Sequence, residues 1–594
     1  MFSAALLLAC LGTLVPRSLC APTEPGVRYV TTSTKHGVIR GQSSDQDGMV
    51  INNYFGIPYA RPPMGALRFQ SPVPANPWSG VRDALLPSRR CVQTFRVITI
   101  PQKDDVYNFV RCLPRNGESV PRDSRGLFSY SAIRPEIPLG YAKHFDCIFT
   151  FVTSSPQSED CLYINVHAPA GLSRSVPVMV WIHGGGYRTG HGAPYNGERL
   201  AAKGVVMVSF NYRLDALGFL SMENDLMPGN YGMLDQVAAL KWVKDNIASF
   251  GGDPQRVTIF GESAGSTSVS LLLLSPLARG LFQGAIMESG VSLAPFAYAH
   301  PARAISPRLA AHFISTTVGC ASPSRLATFQ CLQTVDAARL INASRDLVDQ
   351  GNNGNLLMTP RVDGPNGFLP DLPLRYTLLP LLTFSPPKAL WIDLAALLPN
   401  LPLRLLARGQ FEHVNTIRGY NENEMGMFLN FTLRGQSSTA DTFKGEVVKL
   451  ALDQFTVVDK DQMIQGEKYY LYQFAVRPQQ STQPDWITAI HADEIGFVFG
   501  FLKEFMDPVH QEAVNKMMTM WINFAKTGDP NGSDGMVSAG VAWKPFSNSS
   551  QNVLDIRESG LNLDQFNESY VTVNYYSFLQ RIDTVLDPNS GVIG

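Results

Sequence analysis

The chain has 594 residues, of which 45% are hydrophobic and 17% are charged, and its formal net charge is −1. This length suits one large α/β domain or a few small ones, and the composition is that of an ordinary globular protein. A charge so close to neutral argues against nucleic acid or an acidic membrane surface as a partner.

The start of the chain has the composition of a secretory signal. An apolar run over 4–15 is followed by small residues, which predicts cleavage between Cys20 and Ala21, although no Lys or Arg precedes the run. The run is too short to span a bilayer, and no later segment has about 20 apolar residues in succession. We therefore expect a signal peptide at 1–20, no membrane span, and a secreted, extracellular protein.

Sequons and cysteines favour the same compartment. Removal of the signal leaves six cysteines, whose pairing the sequence alone leaves open. Metal binding is the rival interpretation of these cysteines, but no C-x-x-C or H-x-x-x-H spacing occurs, so we expect neither a metal nor a cofactor. The candidate glycosylation sites are Asn342, Asn430, Asn531, Asn548 and Asn567.

Strand and helix patterns alternate along the chain. Residues 27–69 alternate apolar and polar positions, which predicts a small N-terminal antiparallel sheet. Nearly continuous apolar strands separated by helices then indicate a mostly parallel sheet covered on both faces. The predicted strands are 178–182, 205–210, 257–260, 285–287 and 469–474, and the predicted helices are 233–250, 266–274 and 514–524.

The most informative motif is Gly261-Glu262-Ser263-Ala264-Gly265, a G-x-S-x-G pentapeptide. It lies between a predicted strand and a predicted helix, which is the context that such a motif needs. A serine on this turn exposes its hydroxyl at the N-terminus of the helix. Ser263 is therefore the predicted nucleophile.

A nucleophilic serine needs oxyanion donors, a base and an acid, and the chain offers candidates for each. A glycine triplet at 184–186 follows a predicted strand and would supply donors together with the N–H of Ala264. His491 comes late in the chain, as the order Ser-acid-His requires, while Glu422 and Glu424 both stay open as the acid. Each candidate also has a purely structural interpretation: the glycine triplet as a turn, His491 as a core histidine, and either glutamate as a solvated loop carboxylate.

These motifs resemble the type-B carboxylesterase/cholinesterase family. The resemblance implies an α/β-hydrolase fold in a single domain over 21–580, a C-terminal tail at 581–594, and hydrolysis of carboxylic esters by an enzyme of this class. It is densest over 53–69, 158–209, 211–290, 421–429 and 491–530.

The same resemblance implies roles for individual residues. By it, Ser263 is the nucleophile, Glu424 the acid and His491 the base, and Phe296 lines the acyl pocket. Other family positions are the oxyanion-hole residues Gly185, Gly186 and Ala264, the nearby carboxylates Glu262 and Glu494, the disulfides Cys91–Cys161 and Cys320–Cys331, and the ion pairs Arg68–Glu159 and Arg213–Asp235.

The chain departs from the family pattern in three places. Atypical insertions are expected at about 92–157 and 376–404, and the first contains Cys112 and Cys147, whose state is open. That insertion has no tryptophan, so the cation–π recognition of choline is not expected. The interval from Glu424 to His491 is shorter than usual, as if a helix and a strand near 459–466 were missing. We hypothesise that mis-joined exons produced these departures.

The leading hypothesis is a secreted serine esterase acting on small-molecule esters, whose oligomeric state the sequence leaves open. The alternatives are a cholinesterase, an adhesion or recognition protein like the neuroligins on the same scaffold, and an inactive product. The last would follow if the deletion broke the sheet that sets His491 against Glu424.

Overall fold

The computed structural model describes residues 28–93, 156–292, 297, 305–349, 358–363, 367–369, 412–422, 424, 467–479, 481, 488–501, 503–533, 535–537, 541–547, 550 and 552–565. The expected signal peptide, the C-terminal tail, the 376–404 insertion and nearly all of the 92–157 insertion lie outside these residues. So does Phe296, and its role in an acyl pocket therefore stays a prediction.

The strands of the described chain form one large sheet and one small one. They are β1 (Arg28–Thr34), β2 (Gly37–Gln46), β3 (Met49–Pro58), β4 (Val81–Asp83), β5 (Arg90–Cys91), β6 (Gln157–Ser158), β7 (Tyr163–Pro169), β8 (Val176–Ile182), β9 (Val206–Phe210), β10 (Gly252–Glu262), β11 (Gly284–Glu288), β12 (Asn415–Asn421), β13 (Tyr469–Phe474), β14 (Asn552–Arg557) and β15 (Gly560–Gln565).

The large sheet has 13 strands in the order β1-β2-β3-β7-β9-β8-β10-β11-β12-β13-β14-β15, with β4 beside β2. Its central run from β9 to β14 is parallel, which confirms the predicted mostly parallel sheet. The N-terminal strands β1 to β3 are antiparallel, as predicted, and they continue the same sheet because β3 pairs with β7. β5 and β6 form the separate small sheet.

Helices cover both faces of the sheet. None of the helices described in the structure is long and apolar enough to cross a membrane. The described α-helices are α1 (Glu198–Ala202), α2 (Asp215–Phe219), α3 (Tyr231–Asn246), α4 (Ala264–Leu274), α5 (Pro307–Thr317), α6 (Arg325–Thr334), α7 (Ala337–Asp349), α8 (Ile495–Phe499) and α9 (Pro508–Thr527).

The central strands contain nearly continuous apolar runs because each of their faces meets a different part of the core. In β8, Val178 and Val180 pack into the cluster that also holds residues of α3 and α4. Their neighbours Met179 and Trp181 point the other way, into the cluster that holds residues of α8 and α9. Two-sided burial explains why these strands read as continuous apolar runs.

The sheet is continuous across the shortened interval. β12 pairs with β13 from Thr416↔Tyr469 to Asn421↔Phe474, and β13 pairs in turn with β14. The segment near 459–466 lies outside the described residues, yet the strands on its two sides are direct neighbours. The premise of the inactive alternative, a sheet broken at this point, is therefore not met by the described strands.

Both disulfides and both ion pairs implied by the family resemblance are present. Cys91–Cys161 joins residues 70 apart in sequence, and Cys320–Cys331 joins the loop after α5 to α6. The ion-pair distances are 2.6 Å for Arg68–Glu159 and 2.7 Å for Arg213–Asp235. Cys112 and Cys147 lie outside the described residues.

Two of the five predicted glycosylation sites fall within the described residues. Asn342 is exposed on α7. Asn531 is half-buried, and its amide donates to Asp529 at 2.7 Å and accepts the Trp543 N–H at 2.8 Å. In this folded geometry Asn342 is the more accessible of the two. Glycosylation at all five sites stays a prediction.

Candidate active site

Ser263 lies in a strained turn between the end of β10 and the first residue of α4. Its φ of 56° and ψ of −120° are unfavourable for any residue with a side chain, at a cost of roughly 1–3 kcal/mol. Two main-chain hydrogen bonds hold the turn. The Ser263 N–H donates to the main-chain carbonyl oxygen of Glu288, and the Thr267 N–H donates to that of Ser263, both at 2.9 Å. Such a turn presents a serine hydroxyl away from the main chain.

The two glycines of the pentapeptide allow β8 to approach this turn closely. A Cβ on Gly261 would lie 2.5 Å from the Ile182 carbonyl oxygen, and a Cβ on Gly265 would lie 2.0 Å from the same atom. Because that oxygen belongs to the main chain of a central strand, it cannot move aside. The close approach brings the loop after β8 to the serine, since a Cβ on Gly184 would be 3.1 Å from the Cβ of Ser263.

His183 orients the first peptide of the glycine loop. Its buried ring stacks on Tyr212 with a centroid distance of 4.4 Å, and its Nδ1 lies 2.9 Å from the Gly184 carbonyl oxygen. Burial lowers the pKa of His183 to about 4, so the ring is neutral, and Nδ1 carries the hydrogen that the carbonyl accepts. Because C=O and N–H point in opposite directions across a trans peptide, this bond turns the Gly185 N–H away from His183.

The second peptide of the loop is fixed in the same way. The Gly185 carbonyl accepts hydrogen bonds from the N–H groups of Arg188 at 3.1 Å and Thr189 at 3.0 Å. Gly185 and Gly186 have φ values of 109° and 62°, which favour glycine. Within the described part of the chain, the N–H groups of Gly185, Gly186 and Ala264 have no acceptor. Three free donors beside the serine could bind an oxyanion.

His491 faces Glu424 and not Glu422. Its Nδ1 lies 2.6 Å from Glu424 Oε2, while the other oxygen of that carboxylate accepts the Asn421 N–H at 2.8 Å. Glu422, the other carboxylate that the sequence left open, instead accepts from Arg557 at 2.8 Å. Glu424 is therefore the carboxylate placed to orient the imidazole.

The other ring nitrogen of His491 lies next to Glu262. Its Nε2 is 2.9 Å from Glu262 Oε1, but this oxygen has no aligned hydrogen-bond donor, so the contact is one of charge. The described contacts include no hydrogen bond from Ser263 Oγ to His491. Burial lowers the pKa of His491, but the charges of Glu262 and Glu424 outweigh it and hold this pKa well above its usual value.

Two further buried carboxyl groups stand behind this pair. Glu494 accepts from the Ser289 hydroxyl at 3.2 Å and from the side chain of Asn421, and Glu288 accepts from the Trp521 indole at 2.7 Å. Burial, together with the neighbouring charge of Glu262, raises the pKa of Glu288 to about 8 and that of Glu494 well above its usual value. Both groups therefore keep their protons to higher pH than an ordinary carboxyl group does, which limits the negative charge around His491.

The model of the carboxylesterase family matches residues 27–463 and 448–573. The chain belongs to this family. Human carboxylesterase 5A is 32% identical over 573 residues, which cover 87% of this chain and 85% of that protein. Carboxylesterase 1E of Mus musculus is 32% identical over 584 residues, with 88% and 91% covered, and carboxylesterase 5A of Felis catus is 33% identical over 544 residues, with 86% and 88% covered.

This carboxylesterase-family chain matches the family model in two segments and not in one. The two matched segments overlap at 448–463, inside the interval between Glu424 and His491. This is the interval in which the sequence predicts a loss of family residues.

Several residues of the site were not identified from the sequence as functional. His183 precedes the glycine triplet directly, and that position could have indicated its contact with the loop. Ser289 directly follows the predicted apolar strand β11, so its position at the carboxyl edge could have been expected, whereas Asn421 ends the largely polar strand β12. Nothing in the sequence marks Trp521, which is 233 residues from its partner Glu288.

Proposed function

We propose that this chain, a carboxylic ester hydrolase by its family, cleaves small-molecule esters through an acyl-enzyme on Ser263. One observation carries the proposal. The strained Ser263 turn, the His491–Glu424 pair and the free N–H donors converge at the carboxyl ends of neighbouring parallel strands. These are the parts that acyl transfer to a serine needs.

The reaction then runs in two halves. Ser263 Oγ attacks the acyl carbon and gives its proton to His491 Nε2, while the N–H groups of Gly185, Gly186 and Ala264 bind the oxyanion. Collapse of the tetrahedral intermediate breaks the ester C–O bond, and His491 returns the proton to the departing alcohol. A water molecule repeats the sequence on the acyl-enzyme and releases the carboxylic acid. Glu424 stabilises the imidazolium formed in each half.

In this proposal, the free enzyme at rest has His491 Nε2 in contact with Glu262. An imidazolium held between Glu262 and Glu424 cannot accept a proton from Ser263. The enzyme must therefore lose the Nε2 proton before it can react, and His491 Nε2 must then turn from Glu262 towards Ser263. Glu262 and Ser263 are adjacent in sequence, so both partners of Nε2 belong to the same strand-to-helix turn.

Labelling with a fluorophosphonate tests the proposal. We expect the full-length protein to hydrolyse p-nitrophenyl acetate and butyrate and to take up one label per chain. Mass spectrometry of the digested protein should locate the label on the peptide that contains Ser263. A folded protein that neither hydrolyses these esters nor takes up the label would contradict the proposal.

The second candidate is a recognition protein with impaired catalysis on the same scaffold. The observation that favours it is the position of His491 Nε2, which contacts Glu262 and makes no described hydrogen bond to Ser263. The same experiment separates the two candidates, because this protein would fold and leave Ser263 unlabelled. An adhesion function would then be tested by its binding to cell surfaces.

We also propose that the protein is secreted. The disulfides, together with the finding that no described helix could cross a membrane, are compatible with a secreted or lumenal protein. The apolar run at 4–15 and the sequons support export. Expressed in animal cells, the protein should reach the medium with Ala21 as its first residue, as read by N-terminal sequencing. Retention of the whole product inside the cells would contradict export.

A further inference from the structure

Asn421 occupies the point where the acid loop and the histidine turn meet. It is the last residue of β12 and is only 1% exposed. Glu424 follows three residues later, and His491 comes from the segment after the neighbouring strand β13. The two functional loops are joined through long stretches of chain, so their relative position depends on contacts made across the gap.

The main chain of Asn421 fixes the acid. Its N–H donates to Glu424 Oε1 at 2.8 Å, which leaves Oε2 of the same carboxylate for His491 Nδ1 at 2.6 Å. The two oxygens are thus divided between two donors, and the plane of the carboxylate is set by both.

The side chain of Asn421 fixes the histidine turn. Its Nδ2 donates one hydrogen to the carbonyl oxygen of Ile490 at 2.7 Å and the other to Glu494 Oε2. Ile490 directly precedes His491, and Glu494 is the residue before α8, so the amide spans the turn. This turn needs support, because Ala492 within it has a φ of 73°, in the left-handed region.

The side-chain amide of Asn421 suits its surroundings only with Nδ2 facing the Ile490 carbonyl oxygen. Turned over, its oxygen would face the Ile490 carbonyl, which cannot donate. An aspartate at this position would likewise set a carboxylate against that carbonyl. Both amide hydrogens of Asn421 are therefore used in hydrogen bonds. Aspartate has nearly the same shape but cannot donate either of these bonds.

We propose that Asn421 is a positioning residue that sets the ring of His491 against Glu424. This inference rests on the proposed function, in which these two residues form the acid–base pair. Asn421 touches neither Ser263 nor the site of the oxyanion. It acts by joining the end of β12 to the turn that carries the imidazole.

The test compares Asn421→Asp and Asn421→Ala with Asn246→Asp in the full-length protein. Asn246 is a matched control, since it is 2% exposed and its amide donates to Trp242 and accepts from Lys35, far from the site. Both Asn421 variants should lower kcat for p-nitrophenyl acetate by about 100-fold with little change in KM, because a small misplacement of a catalytic group has an effect of this size. Asn246→Asp should leave kcat unchanged.

The pH profile provides a readout that a purely structural role would not change. Asn421→Asp adds a carboxyl group beside Glu262, Glu424, Asp493 and Glu494, around His491. It should move the rising limb of the kcat profile to higher pH relative to Asn421→Ala. Each kcat is normalised to the sites titrated with fluorophosphonate.

Three outcomes would overturn the inference. They are kcat values for both Asn421 variants equal to that of Asn246→Asp, identical pH profiles for Asn421→Asp and Asn421→Ala, and loss of folding in both while the control folds. Failure of the proposed function looks different, because the wild-type protein itself would then be inactive and unlabelled.

Discussion

Loss of Ser263, of His491 or of both is expected to lower the activity by the same amount. Ser263→Ala and His491→Gln should each reduce kcat for p-nitrophenyl acetate by about 10⁶-fold, and the double variant should be no worse. The reason is that the serine is a nucleophile only while the imidazole takes its proton, so removal of either residue removes the whole step.

The control for this prediction is Ser270→Ala in α4, the helix that follows Ser263. Ser270 is 2% exposed in α4, and its replacement makes the same chemical change as Ser263→Ala about two helical turns further along the chain. It should leave kcat unchanged. A double variant whose loss equals the product of the two single losses would mean that Ser263 and His491 act independently, and the proposed reaction would then be wrong.

The apolar strands of this protein could be predicted because burial on both faces leaves a simple signal. β8, β9, β11 and β13 begin and end within two residues of their predictions. β10 begins five residues earlier than predicted, at Gly252, because that residue pairs with Val176 of β8. Pairing across the sheet decided this boundary, and the local sequence contains no sign of it.

The start of α9 is set by local residues that the helix prediction did not include. α9 begins at Pro508, six residues before the predicted start at Val514. Its beginning is marked in the sequence, because Asp507 caps the helix by accepting the His510 N–H and proline occupies the first position. The cap residue and the proline therefore mark where this helix begins.

The candidate site was predictable where chemistry requires a particular residue type. A nucleophile, a base and flexible glycines belong to short motifs, so Ser263, His491 and the glycine triplet could be identified. The choice between Glu422 and Glu424 could not be made from chemistry, because both follow the same strand. The family resemblance favoured Glu424, and the contact with His491 has the same result. The position of Asn421 depends on two loops that the fold alone brings together.

The two carboxylates next to His491 are expected to differ sharply in their effect on activity. Glu424→Gln should lower the plateau value of kcat by about 10⁴-fold, because a glutamine amide can donate to Nδ1 and so leaves the proton on Nε2, the wrong tautomer for a base. Glu262→Gln should keep most of the plateau activity, since Glu262 contacts the nitrogen that must in any case turn to Ser263.

The pH dependence of the variants follows from the same contacts. Neutral His491 is the form that accepts the proton, so kcat/KM should rise with pH through the pKa of this residue. Glu262 and Glu424 both raise that pKa, which places the rising limb of the wild-type profile above the usual range for histidine. Removal of either charge should therefore move the limb to lower pH.

We would measure kcat/KM against pH for the wild type and both variants on p-nitrophenyl butyrate. This profile checks both the predicted plateau activities and the predicted shifts of the rising limb. Glu262→Gln should show a limb at lower pH with a plateau close to that of the wild type, because one of two charges on the imidazolium is removed while Glu424 still orients the ring. An unmoved limb would mean that Glu262 does not contact His491 in the free enzyme. The base would then face Ser263 already, and no change of partner would precede the reaction.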